Sequence, residues 1–113
     1  MEDLSRNKWE ELYDKGLEGY YYESIGEIEK CIEIFEYVIE NGSNIPLHFE
    51  RLRIIYNRQE KYDDCYRICK IYLEIYDKKM KINKNNIDPF NEYPSYKHFY
   101  DWKMKIGKKI NII

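Results

Sequence analysis

The sequence contains no alanine and no threonine, and glycine and proline are scarce, at five and three residues. Without alanine, helix contacts that need a small side chain must use glycine, serine or cysteine. The three cysteines suit that role, and an odd number of them argues against a disulfide framework. No apolar run approaches the ~20 residues that a membrane-spanning helix needs. The opening stretch MEDLSRNKWEEL is acidic and mixed, unlike a secretory or transit peptide, so a cytoplasmic protein is expected. There is no C-x-x-C, no H-E-x-x-H and no glycine-rich phosphate loop.

What the chain does hold is a helical pattern. Its 113 residues suffice for a single domain, 1–113, and 43% hydrophobic with 35% charged residues marks a folded protein. Isoleucine (17), lysine (14) and tyrosine (13) are in excess, a bias that suits an AT-rich coding sequence and a phage or mobile-element origin. Apolar residues recur three and four apart almost throughout, and no segment sustains the alternation of a strand. The fold class is therefore all-α. A first helix is predicted from about residue 4 to 22, with Leu12, Tyr13, Leu17, Tyr20 and Tyr21 on its inner face. Ser24 and Glu27 have capping-box spacing ahead of a second helix, whose stripe runs through Ile25, Ile28, Cys31, Ile32, Phe35, Val38 and Ile39. Asn41-Gly42 ends it. Pro46 opens a third helix bearing Leu47, Leu52, Ile55 and Tyr56, which reaches to about Gln59. A fourth carries Tyr62, Cys65, Cys69, Tyr72 and Tyr76 and fades near Lys78–Lys84. Residues 83–94 read as a loop, after which Ser95 caps a last helix with Tyr96, Phe99, Tyr100 and Met104 inward.

A shift of 34 residues superimposes Tyr22 on Tyr56, Ile28 on Tyr62, Cys31 on Cys65, Phe35 on Cys69 and Val38 on Tyr72. That is the period of a helix–turn–helix solenoid. Residues 46–79, with Phe49, Leu52 and Tyr56 followed by Tyr62, Cys65 and Cys69, resemble a tetratricopeptide (TPR) repeat. Residues 12–45 resemble a degenerate copy, with Gly19, Tyr22, Cys31, Phe35 and Val38 in matching places. Arg53 and Tyr72 stand where the family has small residues. The resemblance implies two helical hairpins plus a C-terminal capping helix built from the basic, aromatic segment 80–113. It also implies a concave groove lined by Tyr13, Gly16, Tyr20 and Glu23 from one hairpin and by Leu47, Glu50, Ile54, Asn57 and Arg58 from the next. With two repeats, self-association into a homo-oligomer is expected.

The chemistry available is that of binding. Cys65 and Cys69 share a helix face, and Cys31, His48 or His98 could be imagined beside them, but thiols on an apolar stripe behave as small hydrophobes, so no metal or other cofactor is expected. Ser95, His98 and Asp101 imitate a triad in order only, with neither an oxyanion hole nor a strained nucleophile turn. No enzyme is expected. The reading is a non-enzymatic interaction module, an adaptor or inhibitor that binds another protein through Tyr13, Tyr20, Glu50, Ile54, Asn57 and Arg58. Charge supplies the alternative. Residues 1–77 hold 10 Lys/Arg against 18 Asp/Glu, whereas 78–113 hold 9 Lys against 3 acids. Lys97, Lys103, Lys105, Lys108 and Lys109, interleaved with Tyr96, Phe99, Tyr100 and Trp102, have the composition of an RNA- or single-stranded-DNA-binding helix.

Overall fold

Residues 5–83 and 94–113 are described by a computed structural model, and every regular element among them is an α-helix. The helices are α1 (Arg6–Ser24), α2 (Ile28–Glu40), α3 (Pro46–Arg58), α4 (Tyr62–Asn83) and α5 (Pro94–Lys109). The loop expected at 83–94 lies almost wholly outside the described residues. No described helix is long and apolar enough to cross a membrane.

The chain divides into two compact units, residues 2–52 and 53–113, with the boundary inside α3. In the first, α1 packs against α2. Leu12, Cys31, Ile34, Phe35, Val38, Ile39, Phe49 and Leu52 are its buried apolar residues. In the second, α4 packs against α5. Ile55, Tyr56, Cys65, Ile68, Cys69, Tyr72, Leu73, Phe99 and Ile106 are buried there. Tyr72 accommodates its bulk by lying 4.1 Å, centroid to centroid, from Phe99 and 4.9 Å from Tyr76.

One device ends four of the five described helices. After α1, Gly26 N–H donates to Glu23 C=O (3.1 Å) and Glu27 N–H to Tyr22 C=O (2.9 Å). The same pair of bonds recurs at Gly42 and Ser43, at Glu60 and Lys61, and at Asn111 and Ile112. This is the Schellman motif, and it requires a left-handed residue at its centre. The φ values there are 81° for Gly26, 97° for Gly42, 58° for Glu60 and 63° for Asn111. The turns after α1 and α3 stand 34 residues apart and carry identical bonds, since Glu60 N–H donates to Asn57 C=O and Lys61 N–H to Tyr56 C=O.

Three local expectations are corrected. The Ser24 hydroxyl donates back to Tyr21 C=O (2.6 Å) inside α1, and α2 starts after Glu27 without a side-chain cap. A hydroxyl satisfied within its own helix is not available to the next one. Ile25, placed on the α2 stripe, lies in the turn and is exposed. Ser95 is the second residue of α5 and not its cap, because Pro94, which needs no N–H partner, occupies the first position. Ser5 does cap α1, accepting the Lys8 N–H at 3.2 Å.

Of the two non-glycine residues at these centres, Glu60 and Asn111, Glu60 is the one whose replacement tests this device. Glu60→Gly should stabilise the protein by ~0.5–1 kcal/mol in denaturant melts, because a Cβ is unfavourable in left-handed backbone. Gly26→Ala, whose added methyl would touch nothing within 4 Å, should cost about 1 kcal/mol through its φ alone.

Candidate binding surface on the first helix

Helix α1 is built inside out. Its buried residues are Leu12, Gly16 and Gly19, spaced four and three apart on one face. Of the residues expected inside, Leu12 is buried and Tyr20 half-buried, but Tyr13, Leu17 and Tyr21 are exposed. The reason is steric. A methyl group on Gly16 would overlap the His48 Nε2, and one on Gly19 would come within 2.8 Å of Phe35 Cζ. Two rings thus lie directly on the backbone of α1, and only glycine permits that approach.

His48 is the centre of this contact. It has no exposed surface, and its Nδ1 lies 2.7 Å from the equally buried Ser43 Oγ. That hydroxyl also accepts the Ile45 N–H at 3.2 Å, so one serine ties the end of α2 to the start of α3. Nε2 has no hydrogen-bond partner among the described residues. Burial pulls the imidazole pKa down to about 4, so the ring is neutral at physiological pH. Phe35 stands 5.7 Å and Tyr20 6.2 Å from it, centroid to centroid. The Ser–His pair has the composition of a nucleophilic dyad, but it is packed in the core and not in a cleft.

Polar groups border this core. Arg51 reaches from α3 to Glu23 on α1 in a bidentate pair: Nε donates to Oε1 at 2.9 Å and Nη2 donates to Oε2. The Glu23 bond holds the Arg51 guanidinium more firmly protonated still. Burial, with Glu23 nearby, pushes the Cys31 thiol up to about 11, which makes it an inert packing residue. Burial likewise pushes the Tyr20 phenol up to about 12.

With its glycines turned inward, α1 leaves an apolar ridge facing solvent. Trp9, Tyr13, Leu17 and Tyr21 follow one another at four-residue steps and are 39, 44, 47 and 58% exposed. Ile25 continues the ridge into the turn. The rings of Trp9 and Tyr13 stack at 5.3 Å with planes 15° apart. A contiguous stripe of this kind is what a docking surface offers.

The expected site residues fall as follows. Tyr13 belongs to the ridge, Tyr20 is half-buried against Phe35 at 5.1 Å, and Glu50 is half-buried in the first unit. Ile54 and Asn57, half-buried, and Arg58, exposed, belong to the second. Leu47, at the start of α3, is exposed. Trp9 was missed, although it lies four residues before Tyr13 and continues the same spacing.

The lysines of α5 are occupied locally. Lys97 binds Asp101 at 2.8 Å. Lys103 lies 5.8 Å from the Tyr66 ring centroid, Lys105 4.6 Å from Trp102, and Lys109 4.4 Å from Tyr62. The buried Arg53 guanidinium is 4.1 Å from the Trp102 ring. These are cation–π contacts within the second unit. Lys108 is exposed. Of the triad-like string, Asp101 faces Lys97 and His98 packs edge-on to Phe99 at 5.4 Å. Among the described residues no group of three His, Cys, Asp or Glu side chains could hold a metal ion.

The core predicts a pH dependence. The His48 pKa falls from 6.5 in the unfolded chain to about 4 in the folded one, so the unfolded chain binds more protons between those values. The contribution is complete above 6.5 and is lost as pH falls toward 4, reaching roughly 3 kcal/mol. Denaturant melts across that range should show this slope in the wild type and lose it in His48→Gln. Gly16→Ala should destabilise by ~1–3 kcal/mol despite its gain in helix propensity, because the ring must move. No protein-family model, curated protein or solved structure matches this chain.

Proposed function

We propose that this protein is a non-enzymatic binding module of TPR-like hairpins that captures another protein on α1 and acts by occupying that partner's surface, as an adaptor or inhibitor does. The carrying observation is the apolar ridge of Trp9, Tyr13, Leu17 and Tyr21, which is exposed on a helix whose inner face is already satisfied by glycine packing. Four large side chains on one stripe have no structural task in the fold, and apolar contact supplies affinity when they are covered. The identical turns after α1 and α3, 34 residues apart, support the TPR-like reading.

The nucleic-acid reading is less favoured, because of the rings that would stack on bases Trp102 already lies against Arg53 and Lys105, and Phe99 is buried. Two measurements separate the readings. A Tyr13→Ser, Leu17→Ser, Tyr21→Ser variant should keep the wild-type circular dichroism and melting curve while partner capture from the native host falls at least tenfold. Moderate salt should change the wild-type result little. Unchanged capture by the variant would defeat the proposal. So would binding of a labelled single-stranded oligonucleotide that falls steeply with salt and disappears when Lys103, Lys105, Lys108 and Lys109 become Gln.

A further inference from the structure

A second surface lies on another stripe of α1, where it meets α2. There the two helices leave a cleft of about 650 Å³ floored by Leu12, Ile34, Tyr22 and Tyr37. Its α1 border carries Lys8, Glu11, Lys15 and Glu18. These four residues are spaced three, four and three apart, so the spacing reads the same in both directions while the charge order inverts. Reversed against itself, the stripe sets Lys8 opposite Glu18 and Glu11 opposite Lys15, each pair twice. A surface complementary to its own reversed copy is the requirement for a two-fold interface.

We propose that the α1–α2 cleft is the seat of a second copy of this chain, which pairs antiparallel through α1 to form a symmetric dimer. Among the described residues these charges make short-range pairs along α1: Lys8–Glu11 at 3.8 Å and Lys15–Glu18 at 3.4 Å. Exposed pairs at that spacing contribute little, so exchanging them for pairs between chains costs little. The apolar gain comes from Tyr37, which is exposed, and Tyr22, half-buried beneath Lys30, whose ammonium lies 5.3 Å from the ring centroid. Trp9, Tyr13, Leu17 and Tyr21 are not part of this stripe, so the ridge stays open in the dimer.

The test is a charge exchange followed by sedimentation velocity. Wild-type protein, taken from micromolar toward millimolar concentration at low salt, should reach twice the 14.0 kDa monomer mass. Lys8→Glu, Lys15→Glu gives an all-acidic stripe and Glu11→Lys, Glu18→Lys an all-basic one, both at solvent-exposed sites that leave folding intact by circular dichroism. Each variant alone should dimerise at least tenfold more weakly than the wild type, and an equal mixture should recover a one-to-one dimer. A wild type that stays monomeric throughout overturns the proposal. Variants that dimerise as well as the wild type, or a mixture that fails to recover, also overturn it. The Tyr13→Ser, Leu17→Ser, Tyr21→Ser variant should dimerise normally, which separates this outcome from that of the ridge.

Discussion

The architecture of the first unit depends on one close approach: the imidazole of His48 resting on the backbone of α1 at Gly16. Everything around it follows from that approach. The ring needs a partner for Nδ1, and Ser43 supplies it from the turn that closes α2. It needs apolar walls, and Phe35 and Tyr20 supply them. Phe35 in turn needs Gly19, three residues further along the same face. Glycine inside a helix costs about 1 kcal/mol relative to alanine, so two buried glycines weaken α1 as an isolated segment. The helix holds because rings pack where side chains would otherwise stand.

That approach also accounts for what could and could not be read in the sequence. The helices themselves were legible, since apolar spacing and the Gly42 and Pro46 boundary signals act locally. The centres of the inner faces of α2 and α4 were legible for the same reason, since Cys31, Phe35, Val38, Cys65, Cys69 and Tyr72 are buried as their periodicity implies, whereas Ile28, Ile32, Tyr62 and Tyr76 are half-buried and Ile34, Ile68 and Leu73 are buried off the expected stripes. The orientation of α1 was not legible. A hydrophobic pattern assigns the core to the largest apolar residues, and here, after Leu12, the core takes two glycines. The available signal was Leu12, Gly16 and Gly19 at helical spacing in a chain without alanine. Arg53 was opaque for a different reason. Its burial depends on Trp102, 49 positions later, and no local pattern links a guanidinium to a distant indole.

The two units settle their polar groups differently. In the first, polarity is concentrated in pairs: the buried His48 with Ser43, and the half-buried Arg51 with Glu23. In the second, cations lie on aromatic faces, Arg53 and Lys105 at Trp102 and Lys109 at Tyr62. Tyrosine-rich and lysine-rich composition, which coding bias alone would also produce, is used there to keep long basic side chains in place. The excess of isoleucine is used less completely, since Ile25, Ile112 and Ile113 remain exposed.

The placement of the two tryptophans has a practical consequence. Trp9 sits on the solvent-facing ridge, stacked on Tyr13, whereas Trp102 belongs to the other unit and lies beside two cations. The chain therefore carries one intrinsic fluorophore at the surface where docking is proposed and another in the half of the sequence that takes no part in it. Emission from a Trp102→Phe variant reports on the ridge alone, and emission from a Trp9→Phe variant supplies an internal reference for the integrity of the second unit. Occupancy and folding can thus be followed in a pair of single-tryptophan variants without an attached label.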